Sequence, residues 1–336
     1  MVELTSLAAV AAAIRHGKVS PVEVTRYCLD RIARLDGRLR AFITVDADGA
    51  LAAARRLEAE AARGQWRGPL HGVPLAFKDL CAIGGLPTSC GTRARDYFTA
   101  EQDCTAVRRL LDAGGVNLGK LNMTELAMGA LGDNPHHGHA RNPWAPEHCT
   151  GGSSSGSGVA VAAGLAAGAI GTDTGGSIRL PAAFCGITGL KPTYGRVSRA
   201  GAMALSWSND HIGPMARTAA DCALMLQAMA GPDPLDATAS VHPVDDYVAA
   251  LDGPVRGLRI GVAEALLGQG LTAEMQAAVR DLQSTQRQAS NKLREALGEM
   301  QQQELARGMQ RNADWIRNGM GGYAVMAEPR ATAGLN

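Results

Sequence analysis

Two glycine- and serine-rich segments and one lysine are the groups in this sequence with chemistry to offer. TGGSSSGSG at 150–158 runs directly into VAVAAGLAAGAI at 159–170. Such a composition can be a flexible linker. A linker is expected to lead into polar sequence, however, whereas this apolar run must be buried, so the segment also reads as a tight turn that brings backbone close to a reacting group. Further along, GTDTGGSIRLPAAF at 171–184 reads as a strand, a glycine-permitted turn and the start of a helix. Ser177 then sits where free backbone N–H groups converge, either as a nucleophile whose oxyanion they stabilise or as the cap of that helix. On this segment alone both roles stay open.

A serine hydroxyl needs a base. His136, His137 and His139 cluster in DNPHHGHARNPW without a carboxylate or cysteine at a convincing ligand spacing, which favours a solvated loop over a metal site. His71, in LHGVP, lies near the expected core, and His211, in SNDHIGP, stands beside Asp210 but in no strand–turn–helix context. Lys78 follows the apolar run VPLAF and precedes Asp79. Burial lowers a lysine pKa and can leave a neutral amine able to take a proton; a surface Lys78–Asp79 pair is the competing reading. Of 33 basic residues only Lys18, Lys78, Lys120, Lys191 and Lys292 are lysines, and a lysine, unlike an arginine, can be deprotonated. GGVNLGKL mimics a phosphate loop up to Lys120, but Leu121 stands where magnesium binding needs Ser or Thr. Nucleotide binding is therefore not expected.

The elements that must position these groups follow from hydrophobic patterning. Residues 5–15, 21–35 and 47–63 read as amphipathic helices, the second opened by Ser20, Pro21 and Glu23. Residues 68–80 read as a loop feeding a short buried strand, 104–113 as a helix, and 114–122 as a turn into a strand. Helices alternating with short apolar strands predict an α/β sheet covered on both faces. PVRGLRIGVAEALL at 254–267 reads as a strand and a turn. After residue 281 the chain becomes Gln- and Arg-rich with apolar residues at helical spacing, which predicts a surface helix or helical hairpin. The expected division is 1–281 as the core and 282–336 as a helical tail.

Taken together, these segments resemble the amidase signature family. The matching pieces are GVPLAFKD at 72–79, GKLNMTELAMG at 119–129, RNPW at 141–144, GGSSSGSGVAVAAGL at 151–165, GTDTGGSIRLPAAFCGITGLKPTYGRVSRAG at 171–201 and ARTAADCALMLQAMAGPDPLD at 216–236. The resemblance implies a twisted, mixed central β-sheet covered by helices. It implies Ser177 as the nucleophile forming an acyl-enzyme, and Ser153, after a cis Gly152–Ser153 bond, as the proton relay to Lys78. The backbone N–H groups of Thr174, Gly175, Gly176 and Ser177 would form the oxyanion hole, with Ser154, Asp173 and Arg179 fixing the loops. No metal or cofactor is implied. Position 155 is serine where many members have glycine. Members usually run longer, and the pattern here fades near residue 281, so part of the family's C-terminal third is expected to be missing.

Three functions follow as expectations. One is a stand-alone amidase that cleaves a small carboxamide. Another is an A-type subunit that hydrolyses glutamine for a tRNA-dependent amidotransferase. The last is a truncated, non-catalytic binding or assembly subunit. A homo-oligomer or a partner subunit could complete the pocket. The 336 residues are 46% hydrophobic and 19% charged, with a net charge of +1. Such a balance is that of a folded protein and supplies no electrostatic case for nucleic acid or an anionic membrane. Seven cysteines without a CxxC pair, acidic Glu3 near the start, and no apolar run long enough to span a bilayer predict a soluble, cytoplasmic protein.

Overall fold

The computed structural model describes residues 6–93, 99–253, 270–278, 280 and 281. Two compact units divide between Val248 and Ala249. The second contributes a 3-10 turn, Ala249–Asp252, and helical backbone over 273–278. The strand expected at 254–267 and the helical tail at 282–336 lie outside the described residues.

The first unit begins with α1 (Leu7–Arg15) and α2 (Pro21–Leu39). Ser20 accepts the Glu23 N–H and the Glu23 side chain returns to the Ser20 N–H, a complete capping box with Pro21 at the first helical position. The helix runs four residues past its expected end. Asp36 takes up the chain beyond it, accepting the N–H groups of Ala41 and Phe42, while Arg40 closes the helix in a left-handed conformation at φ 53°.

There follow β1 (Phe42–Val45), α3 (Ala47–Ala62), β2 (Pro74–Lys78), α4 (Thr105–Asp112), β3 (Val116–Leu121), α5 (Ser155–Ala162), β4 (Gly168–Asp173), α6 (Arg179–Cys185), β5 (Thr188–Gly189), β6 (His211–Ala216) and α7 (Ala219–Met229). The strands form one six-stranded sheet in the order β1-β3-β2-β4-β6-β5. The central β3, β2 and β4 are parallel, whereas β1, β6 and β5 run antiparallel to their neighbours. β2 and β4 are buried at every position, as expected of strands covered on both faces.

Glycines show where that cover comes close. A Cβ at Gly168 would meet Met225 of α7 and Leu7 of α1, and one at Gly171 would meet Ser154 at the start of α5. Three positions apart on one strand, these glycines face opposite ways, so α1 and α7 cover one face and α5 the other. α5 itself corrects the reading of 150–158 as one tight turn: the turn ends at Ser154 and the rest is helix. Gly and Ser are poor helix formers, but here the helix is wholly inside the protein over Ser155–Val161 and Ser157 gives its hydroxyl proton to the Ile170 carbonyl at 2.9 Å. Among the described residues no helix is long and apolar enough to cross a membrane.

Candidate active site

The candidate groups gather at the C-terminal ends of the two central parallel strands β2 and β4 and in the turn before α5. Lys78 is the last residue of β2 and has no solvent exposure. Its ammonium nitrogen lies 2.7 Å from Ser153 Oγ and 2.8 Å from Thr172 Oγ1. With hydroxyls rather than a carboxylate as its hydrogen-bond partners, its charge is poorly compensated. Burial accordingly pulls its pKa down from the ordinary 10.5 to about 7, against the opposing pull of the Asp173 and Asp210 carboxylates. The surface Lys78–Asp79 pair does not form: Asp79 instead meets Lys120, 3.2 Å away.

Ser153 is fully buried and follows a cis peptide bond from Gly152. Its carbonyl accepts the Thr124 N–H at 3.0 Å, and the next N–H, that of Ser154, donates to the Ser177 carbonyl at 3.2 Å. This bond ties the serine-rich turn directly to the second glycine loop. Ser154 Oγ also accepts the Thr172 N–H at 3.2 Å, which fastens the turn to β4.

Ser177 is half-buried, and among the described residues its hydroxyl has no hydrogen-bond partner. It caps nothing: α6 starts at Arg179, with Ile178 at the cap position and no side-chain cap bond. The loop is held from within by Asp173. One carboxylate oxygen accepts the Gly176 N–H at 2.9 Å and the other accepts the Ile178 N–H at 3.1 Å, while the Arg179 guanidinium bridges both at 3.0 and 2.9 Å. Burial would raise the Asp173 pKa, but Arg179 and these N–H donors outweigh it and hold the carboxyl below its usual value.

Of the four backbone donors expected to line an oxyanion hole, the Gly176 N–H is thus committed to Asp173. Those of Thr174, Gly175 and Ser177 are unpaired among the described residues. Thr174 is braced from its side chain, which donates to Asp210 at 2.5 Å, and Asp210 in turn accepts the N–H groups of Leu205 and Ser206.

Sequence patterning missed Thr172, Asp210 and His211 as neighbours of the site. A cleft lined by Leu80, Thr172, Thr174, Met203, Leu205, Trp207 and His211 opens there. His211 Nδ1 lies 2.7 Å from the Asn209 carbonyl and 3.1 Å from that of Asp173. Burial, with Lys191 nearby, lowers its pKa. The signal was an Asp-His pair entering a strand whose Gly213 and Pro214 hid it.

The other four histidines singled out in the sequence have partners away from Lys78. His71 is buried with one ring nitrogen 2.8 Å from the Leu57 carbonyl and the other accepting the Arg67 N–H. His136 meets Glu125, His137 the Thr92 carbonyl, and His139 the Asn134 N–H. Among the described residues no group of His, Cys, Asp and Glu is arranged to hold a metal ion.

The family model described as Amidase matches residues 23–305, past residue 281 where the recognisable motifs fade. The glutamyl-tRNA(Gln) amidotransferase A subunit of Chromohalobacter salexigens is 51% identical over 276 residues, 82% of this chain and 57% of that protein. Its counterpart in Methylococcus capsulatus is 53% identical over 266 residues, 79% and 55%. The structure of native peptide amidase from Stenotrophomonas maltophilia superposes with a TM-score of 0.70 at 46% identity, over 74% of this chain and 53% of that one. The chain spans about half the length of the relatives it matches.

Proposed function

The chain belongs to the amidase family, and on that premise we propose that it hydrolyses a carboxamide through an acyl-enzyme on Ser177, with glutamine as the amide in an A-type amidotransferase role. The observation that carries the chemistry is the buried Lys78 nitrogen, 2.7 Å from Ser153 Oγ. A lysine with a pKa near 7 is substantially neutral at neutral pH and can act as a base.

Ser177 gives its proton to Ser153 Oγ as Ser153 passes its own to Lys78, and the Ser177 oxygen bonds to the amide carbon. The carbonyl electrons move onto oxygen, where the N–H groups of Thr174, Gly175 and Ser177 receive the charge. Collapse breaks the C–N bond while Lys78, through Ser153, returns the proton to the leaving nitrogen. Water then attacks the ester by the same proton route and releases the acid and free Ser177. The glutamine reading is supported by relatives of that name at 51% and 53% identity. A second reading, a stand-alone amidase, is supported by the 46% identity to a peptide amidase.

Ammonia release separates them. The glutamine reading expects release from glutamine by the chain together with co-purified partner subunits and little from the chain alone. Release from simple amides by the chain alone supports the second reading. Folded protein that releases none under either condition, and that a fluorophosphonate probe does not label, overturns both.

A further inference from the structure

Lys120 is a second lysine with no solvent exposure, and the chemistry above does not use it. β2 and β3 pair with Phe77 beside Lys120 and Lys78 beside Leu121, so the two lysines leave the sheet on opposite faces. Lys120 Nζ lies 3.2 Å from Asp79 Oδ1 and donates to Thr88 Oγ1 at 2.9 Å and to the Pro87 carbonyl at 3.3 Å. The other Asp79 oxygen accepts the N–H groups of Ser89 and Gly91, at 3.0 and 3.1 Å, and the Ser89 hydroxyl. Asp79 is 1% exposed.

Asp79 is the next residue after Lys78, and a buried carboxylate without a partner would favour the protonated form of its neighbour. Each of the other acids around Lys78 is also compensated by a group other than Lys78. Asp173 of β4 has Arg179, with Lys191 and His211 beyond it, and Asp210 has the Thr174 hydroxyl and two N–H donors. Burial pushes the Cys90 thiol up to about 11, and hydrogen bonding to Cys104 together with burial raises that of Cys81, so both stay uncharged. α5, on the remaining side, carries no ionisable group.

We propose that Lys120 is a positioning residue for Lys78: its ammonium cancels the field of Asp79 and pins the 87–91 segment, leaving Lys78 with hydroxyl partners alone. The inference rests on Lys78 being the base of the proposed reaction.

The test is titration of the full chain labelled with 13Cε-lysine, tractable because the sequence has five lysines, with Lys78→Met assigning the signal. The wild-type Lys78 midpoint is expected near 7. Lys120→Met is expected to raise it, and Asp79→Asn to lower it, each by on the order of one pH unit. The double variant, which leaves neither buried charge unpaired, is expected to return to within a few tenths of wild type. Midpoints unmoved in the single variants, or moved in the same direction by both, overturn the proposal. If Lys120→Met does not fold, Asp79→Asn and the double variant decide by the same criterion. The readout needs no substrate, so an inactive wild-type chain would sink the functional reading and still leave the action of Lys120 on Lys78 measured.

Discussion

The backbone N–H of Gly176 donates to the carboxylate of Asp173 at 2.9 Å, inside the loop proposed to form the oxyanion hole. Gly176 reaches this geometry at φ 134°, a region L side chains rarely adopt. Committing one donor this way fixes the others. With Asp173 anchoring Gly176 and Ile178 and Asp210 holding the Thr174 hydroxyl, the open donors at 174, 175 and 177 are presented by a loop tied at both ends. Preorganised donors of this kind cost no rearrangement as charge develops.

Replacing Asp173 with Asn removes the ionic contact to Arg179 and weakens the bonds that shape this loop. The expected result in steady-state kinetics is a fall in kcat of roughly 10²–10³ with KM changed far less, because the lost geometry serves the transition state. The same variant has a pH signature in thermal unfolding. The folded-state pKa of Asp173 is lowered, so the stability it contributes is present above the unfolded value of about 3.9 and is lost as pH falls through the folded one. The Tm gap between wild type and Asp173→Asn should be full at neutral pH and close in strong acid. A gap independent of pH would contradict this.

Lys78 should set the acid limb of the activity profile. With burial holding its pKa at about 7, kcat/KM is expected to fall below an apparent midpoint near that value, as the ammonium form cannot accept a proton. Lys78→Arg should be inactive despite keeping a cation, since arginine does not deprotonate in this range. Stability should also rise with pH, over a window above that midpoint. A lowered lysine pKa means the unfolded chain holds more protons between about 7 and 10.4, so wild-type stability rises with pH across that window. Lys78→Met abolishes this slope, and its Tm relative to wild type should be most favourable below pH 7 and decline toward pH 10.

Ser177 and Ser153 should fail differently. Ser177→Ala removes the atom that bonds to carbon, so fluorophosphonate labelling, read by intact mass, is expected to vanish along with turnover. Ser153→Ala keeps that atom but breaks the 2.7 Å link to Lys78. Turnover should drop by about 10²–10⁴, the range expected for losing general acid–base assistance, while slow labelling of Ser177 persists. Labelling lost equally in both variants would argue against Ser153 as a relay.

Much of this was legible beforehand because burial and cap chemistry leave local marks. The Ser20–Pro21–Glu23 start of α2, the apolar run ending at Lys78 and the glycine turn before Ser177 each declare themselves within a few residues. β6 did not, since Gly213 and Pro214 interrupt its pattern, and its place in the sheet is set by pairing with β4 across 38 residues at Asp173 and His211. The Lys120–Asp79 pair was equally hidden. Adjacent Lys78 and Asp79 suggest each other as partners, but alternation along a strand sends neighbouring side chains to opposite faces, and only the β2–β3 register brings Lys120 to Asp79.

Gly156 tests whether close approach, rather than flexibility, explains the glycine-rich segment. It lies in the first turn of α5, and a Cβ there would sit 2.3 Å from the Ala41 carbonyl oxygen and 2.6 Å from the N and O of Asn122. Its own N–H donates to the Asn122 carbonyl at 2.9 Å, and the Asn122 N–H to that of Ala41 at 2.8 Å. The clashing atoms are therefore hydrogen-bonded backbone and cannot turn aside as a flexible side chain would. In an unconstrained helix Gly→Ala stabilises by about 1 kcal/mol. Here overpacking, typically about 1–3 kcal/mol and sometimes more, should reverse the sign. Chemical denaturation of Gly156→Ala is expected to show a lower midpoint, with loss of activity as the Ser153 turn shifts away from Lys78. Gly37, near the end of α2 with nothing within 4 Å of where a methyl group would sit, is the control: Gly37→Ala should be neutral or stabilising. Equal gains from both substitutions would show that the 150–158 segment is not packed as tightly as α5 requires.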